Sequence, residues 1–251
     1  MIASSCKCKQ ALDFDIKMAF QPIVDVSKRS IFSYEALVRG ANGESAFEVL
    51  SQVNEDNQYS FDQRCRITAI ETFAELSKVD NLNINFMPQA IYEPLACLAA
   101  TIKSARRCGF PTKQIIFEVT EQEQVISRSY LTHIFKTYRA NGFKTAIDDF
   151  GEGYAGLSLL SGFQPDLLKL DMSLITDIET DPAKQAIVKG MQLTCGELGV
   201  SLLAEGVETQ AEYRYLKSLG ITLFQGYYFA KPALEALPAV DWNKLDEQDL
   251  H

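Results

Sequence analysis

Histidine is nearly missing from this 251-residue chain, which holds only His133 and the terminal His251. That scarcity argues against an imidazole-built zinc or copper site. Long apolar runs are missing too, since none approaches the roughly 18 residues needed to cross a bilayer. The opening stretch MIASSCKCKQALDFDIKMAF lacks the unbroken apolar core and small-residue cleavage site of a secretory signal. Positive charge is in short supply: 24 Lys and Arg face 33 Asp and Glu, for a net charge of -9. Such a chain is unsuited to broad electrostatic binding of polymeric nucleic acid or anionic membrane. The six cysteines, at 6, 8, 65, 97, 108 and 195, are too scattered for a secreted disulfide framework. Four of them fall in helix-like segments as ordinary small buried thiols, whereas Cys6 and Cys8 could bind a metal or sense redox state. There is no linker-like stretch and no short-period repeat. A cytoplasmic protein is expected.

What is present is enough apolar residue, 47% of the chain, to bury one large core. Short apolar runs alternate with longer helical patterns. Eight runs read as strands: 18–26, 33–40, 81–87, 114–121, 144–150, 167–175, 200–207 and 223–230. Several are almost continuously apolar, as expected of parallel strands covered on both faces. Between them lie helical patterns over 60–78, with Ser60 as cap, and over 181–199, with Asp181 as cap, Pro182 in the first turn and Gly199 as stop. Another runs over 209–220 and closes at Gly220. The alternation predicts an α/β fold of the TIM-like (β/α)8 barrel type. Only six residues separate the first two runs, too few for a helical crossover, so the first strand is expected to be antiparallel. The barrel is expected over 12–238, between an N-terminal extension (1–11) and an acidic C-terminal tail (239–251).

The polar residues set into these runs carry the chemistry. Glu35, Asn85, Glu118, Glu121, Asp148, Asp149, Lys169, Asp171, Glu205 and Gln225 mostly lie toward the C-terminal halves of their strands. In a barrel those ends converge on one face. Asp148 and Asp149 are adjacent like charges at a strand end, so the pair is either a turn signal or a cation site. Two carboxylates ~5 Å apart at an effective dielectric of ~20 repel by roughly 3 kcal/mol. Five or six of them with one lysine must take up protons, find cations or destabilise the fold. Oxygen donors without histidine fit Mg2+ or Mn2+, with room for two ions.

The ordered segments YEALVRG, INFMPQ, FEVTE, AIDDFGEGYAGL, LLKLDM, LAEGVET and FQGYYFAKP resemble the signatures of the EAL-domain family, phosphodiesterases of the bacterial second messenger cyclic di-GMP. The resemblance covers roughly residues 12–238. It implies that Glu35, Asn85, Glu118 and Asp148 hold one metal, with Asp148 bridging to a second served by Asp149 and Glu205. It implies a catalytic role for Glu35, Lys169 and Glu205, with Lys169 contacting the attacking water and Glu121 steadying the loop that contains Gly151 and Gly153. Gln21, Arg39, Asp166 and Gln225 are implied substrate contacts, Asp166 at a guanine edge, and Asp171 supports the site. A homodimer is implied as well. The rival reading is a module that binds cyclic di-GMP or another protein without turnover; a third is a barrel hydrolase of other phosphodiesters. Two positions depart from the family pattern: Glu152, where a small residue is usual, and Gly40, where many relatives carry an aromatic residue. Glu152 is expected to point outward, and Tyr227 and Tyr228 to pack within the barrel.

Overall fold

The computed structural model describes residues 12–77, 80–120, 127–153 and 156–245. Strand β1 (Ile16–Asp25) turns back through residues 26–29 into β2 (Ser30–Gly40) as an antiparallel hairpin. The chain then alternates: α1 (Ala46–Leu50), α2 (Gln58–Leu76), β3 (Asn81–Asn85), α3 (Pro94–Cys108), β4 (Ile115–Thr120), α4 (Arg128–Ala140), β5 (Lys144–Phe150) and α5 (Gly156–Gly162). It continues with β6 (Leu167–Leu170), α6 (Met172–Ile175), α7 (Pro182–Leu198), β7 (Ser201–Ala204), α8 (Gln210–Ser218), β8 (Leu223–Phe224) and β9 (Ala233–Leu234). Strands β2 to β8 run parallel in chain order, and β1 closes the ring by pairing antiparallel with both β2 and β8. Short β9 adds to β1 through Ala19 and Phe20. The fold is the expected TIM-like barrel with an antiparallel first strand.

The main core fills the space between the barrel's outer face and the helices, with Phe20, Phe73, Phe117, Phe135 and Tyr138 fully buried there. A second, smaller cluster lies inside the ring: Ile23, Ile116, Ala146, Leu167, Leu203 and Leu223. Strand side chains alternate faces, so the residue two positions toward the C-terminal mouth points inward again. On the parallel strands that step leads from 116 to Glu118, 146 to Asp148, 167 to Lys169, 203 to Glu205 and 223 to Gln225. On the reversed β1 it leads from 23 to Gln21, which faces Glu35 across the hairpin. An apolar layer thus plugs one end, and the next layer toward the mouth is ionic.

Most expected elements form, with informative exceptions. Asp181 caps α7, and Gly199 ends it in the left-handed conformation. Helix α2 starts two residues before Ser60, whose hydroxyl is buried without a partner instead of capping. The run 167–175 is strand only to Leu170, because Asp171 accepts the Ser173 N–H and starts α6. The run 223–230 is strand for two residues. A Cβ on Gly226, whose φ is 156°, would lie 2.0 Å from the Val207 carbonyl oxygen, so this close crossing admits only glycine. Cys65, Cys97, Cys108 and Cys195 are free thiols on helices, buried or half-buried. The extension carrying Cys6 and Cys8 lies outside the described residues.

Candidate metal centre

The ionic layer is organised around one ammonium. Lys169 is 1% exposed, and its Nζ lies 2.6 Å from Glu205 Oε1, 2.9 Å from Asp148 Oδ1, 3.1 Å from Glu118 Oε2 and 3.4 Å from Glu35 Oε2. Four acids from four strands therefore share a single cation. Side-chain amides bind two of these carboxylates as well: Asn85 Nδ2 donates to Glu35 Oε1 (2.9 Å), Gln225 Nε2 to Glu35 Oε2 (2.7 Å) and Asn83 Nδ2 to Glu118 Oε1 (2.5 Å). Gln21 donates to the Ala230 carbonyl and accepts from Gln225. Around this layer opens a cavity of about 320 Å3, lined by Gln21, Glu35, Asp148, Asp149, Lys169, Asp171, Glu205 and Gln225 among others.

The backbone of β5 explains how two adjacent aspartates serve one site. Its register with β6 slips between Ile147 and Phe150, and Asp149 takes the left-handed φ of 51°, unusual for a residue with a side chain. The Asp149 N–H then donates to Asp148 Oδ1 at 2.9 Å. This bulge cancels the alternation, so oxygens of Asp148, Asp149 and Glu205 fall within 4.8 Å of one another. Glu35, Glu118 and Asp148 form a second such group. The two groups share Asp148.

Burial and the crowding of like charge push Glu118, Asp149 and Glu205 toward their neutral forms. Burial first, then Glu35 and Asp148, raise the Glu118 carboxyl to about 8 against the pull of Lys169. Burial and Asp148 raise Asp149 to about 7, and burial with Asp148 raises Glu205 well above its ordinary range. Burial alone would depress Lys169, but Asp148, Glu118, Glu205 and Glu35 together hold its ammonium well above the ordinary value. A hard divalent cation would replace those protons with charge, and every donor here is an oxygen, as Mg2+ or Mn2+ requires. Gln225 Oε1 is buried with no partner among the described residues, so the layer holds a polar atom that they leave unsatisfied. Two sets of oxygen donors thus have a chemistry that suits such ions: Glu35, Glu118 and Asp148 in one, and Asp148, Asp149 and Glu205 in the other.

Other expected residues fall in different places. Asp171 is buried at the edge of the site and caps α6. A Cβ on Gly151, at φ 110°, would press within 2.5 Å of Leu174 Cδ1, so the loop after β5 packs tightly there; Gly153 follows in the same loop. Arg39 lies two pleats beyond Glu35 and donates from Nη1 to the Val38 carbonyl. Gly40 faces Glu44, whose carboxylate occupies the space a side chain would take.

Asp166 is not brought to the site. It precedes β6 at the opposite end of the barrel, where its Oδ2 accepts from Thr145 N–H (2.9 Å) and Thr145 Oγ1 (3.0 Å) beside Arg139. Glu152 is exposed, and one of its oxygens also lies within 4.8 Å of oxygens of Asp149 and Asp171. Tyr227 does not pack within the barrel; it is 54% exposed at the mouth with Lys231 over its ring. Tyr228 stacks on Tyr213. Glu121 lies outside the described residues. Asn83 was legible in the alternating NLNIN run, which turns Asn81, Asn83 and Asn85 to one face.

Comparison with known proteins finds relatives of this chain. The chain is 32% identical over 225 residues to the blue light- and temperature-regulated antirepressor BluF of Escherichia coli, covering 89% of this chain and 56% of that one. It is 30% identical over 167 residues to the cyclic di-GMP phosphodiesterase RocR of Pseudomonas aeruginosa, covering 64% and 41%. The chain thus spans about half the length of these curated relatives. A standalone versatile EAL protein from Vibrio cholerae O395, solved bound to c-di-GMP, superposes with a TM-score of 0.91 at 50% identity, covering 95% of this chain and all of that one. A manganese and cy-diGMP complex of Klebsiella pneumoniae BlrP1 gives 0.85 at 36% identity, covering 92% and 59%. The EAL domain model matches residues 7–232, and the chain belongs to the EAL-domain family.

Proposed function

We propose that this protein is a metal-dependent phosphodiesterase that opens cyclic di-GMP to linear pGpG. The observation that carries the reading is the pair of carboxylate groups sharing Asp148 at the barrel mouth. Two bound cations would supply Lewis acidity to the scissile phosphate and lower the pKa of the attacking water. They would also account for how a chain of net charge -9 takes up an anionic substrate.

The chain's own residues do the rest. Lys169 keeps a permanent ammonium in the space the acids enclose, where it can orient the water and offset its developing charge. Gln225, which also donates to Gln21, fixes Glu35 from the side of β8, and Asn85 fixes it from β3. Arg39, above Glu35, supplies a guanidinium for a phosphate oxygen. The water oxygen bonds to phosphorus, the P–O bond to one ribose breaks, and that ribose oxygen takes up a proton. No covalent enzyme intermediate is needed. The reading includes a homodimer in the cytoplasm; among the described residues no helix is long and apolar enough to cross a membrane.

Incubating the purified protein with cyclic di-GMP and Mg2+ or Mn2+ tests the reading: pGpG should appear with either metal and stop on chelation. The second reading, a module that binds without turnover, is favoured by the likeness to a protein named an antirepressor. Tight binding of cyclic di-GMP with no pGpG under either metal would establish it.

A further inference from the structure

Outside the metal centre the structure buries a second pair of charges, on helix α2. Asp62 is 2% exposed and Arg66 1%. Arg66 Nη2 donates to Asp62 Oδ2 at 2.6 Å, and its other nitrogens reach the Asp62 and Cys97 carbonyls and Thr101 Oγ1. A buried ion pair of this kind adds little stability over apolar residues of the same volume. Its geometry is more telling: the other carboxylate oxygen, Asp62 Oδ1, accepts the Met87 N–H at 2.9 Å.

Met87 stands two residues beyond Asn85, where β3 gives way to the loop. Phe86 N–H donates to the Glu118 carbonyl, tying one side of this segment to β4. On the other side Asn85, Phe86 and Met87 border an apolar cavity of about 240 Å3 between the barrel and helices α1 and α2, with Asp62 on its wall. On that face the segment leaves the sheet beside a cavity. The Asp62 carboxylate supplies a fixed anchor there.

We propose that Asp62 is a positioning residue for Asn85: held rigid by Arg66, it pins the Met87 N–H and thereby aims the Asn85 amide at Glu35 and the first metal. This inference rests on the metal-dependent reading above, and it adds a residue that touches neither metal nor substrate.

Two double variants isolate the hydrogen bond from the charges. Asp62→Asn with Arg66→Met removes both charges but keeps an oxygen that can accept the Met87 N–H. Asp62→Leu with Arg66→Met removes both charges and the acceptor. Mn2+ binding by calorimetry, without substrate, should be within about twofold of wild type in the first and weaker by roughly fivefold or more in the second, the scale of one lost hydrogen bond. Equal affinities in the two variants, whatever their melting temperatures, would overturn the proposal. Amide hydrogen exchange on the wild-type chain gives an arm independent of variant folding. The Met87 N–H should be as protected as the amides of β3, and exchange at the rate of an open loop would equally overturn it. A wild-type chain that binds no Mn2+ would instead sink the metal-dependent reading, leaving the exchange result to judge the anchor alone.

Discussion

Two neighbouring layers inside the barrel, one residue pair apart on each strand, have opposite character. Ile116, Ala146, Leu167, Leu203 and Leu223 make a dry plug, while Glu118, Asp148, Lys169, Glu205 and Gln225 make a charged floor under the mouth. The same strands and the same alternation build both. The plug closes the ring by burying apolar surface, at roughly 25 cal/mol per Å2. The floor holds four acids against one ammonium and tolerates that imbalance only by keeping protons or taking up cations. Stability and chemistry are thus stacked along a single axis, and each can be perturbed without the other.

The strongest way to sharpen the contrast is Lys169→Ala. Turnover of cyclic di-GMP should fall by roughly 10²-fold or more, the scale of a lost catalytic group, while circular dichroism and the Mn2+ complex persist. Retained turnover would show that the floor needs no ammonium.

Thermal melting probes the imbalance directly. Glu118 near 8 and Asp149 near 7 lie above their ordinary 4.5 and 3.8, so the folded protein binds more protons than the unfolded chain through that interval. Stability of the metal-free protein should therefore fall as pH rises from about 4.5 to 8. Mg2+ or Mn2+ should reverse the loss most fully near pH 8, contributing roughly 2.7 kcal/mol at 100 times the dissociation constant. Asp149→Asn should shrink that metal-induced shift. Melting curves that rise monotonically from pH 5 to 8 without metal would break the account of the acids.

Below the plug, Asp166→Ala should cost about 1 kcal/mol through its lost bonds to Thr145. Turnover should stay within twofold. A tenfold fall in turnover with an unchanged melting temperature would return Asp166 to the substrate.

The smallest effect is expected at Glu152, exposed beside Asp149 and Asp171. Water screens an exposed carboxylate, so Glu152→Thr should change the rate less than threefold at saturating metal. A tenfold change with the oligomeric state unaltered would place it in the active site.

The two layers also differ in how far they could be read from sequence. Strand β5 matched its expected bounds because KTAIDDF combines an apolar run with a clear polar end. The acids of the floor were visible for the same reason, as charges standing in apolar surroundings. What stayed hidden depends on contacts distant in sequence. Strand β8 stops early because Gly226 meets Val207, and Tyr227 consequently faces the mouth. Asp166 was implied as a substrate contact by the resemblance alone, although it precedes the run 167–175 and so stands at the N-terminal end of its strand, where it bonds Thr145. The bulge at Asp149 and the anchor from Asp62 to Met87 left no local mark, since each is defined by a partner the sequence does not place beside it.

The reversed first strand has a consequence for how the molecule comes into being. The hairpin of β1 and β2 is local, but β1 also pairs with β8, setting Val24 against Phe224. Contacts so far apart along a chain carry a large entropic cost and form slowly. During synthesis the hairpin and the intervening β/α units can accumulate with the flanks of β1 and β7 still unpaired, a state open to wrong partners. Closure then brings Gln225 onto Gln21 and Glu35 in the same movement. Pulse-labelled hydrogen exchange during refolding should accordingly find the amides linking β1 and β8 protected last, so that the barrel acquires its competence only when its two ends meet.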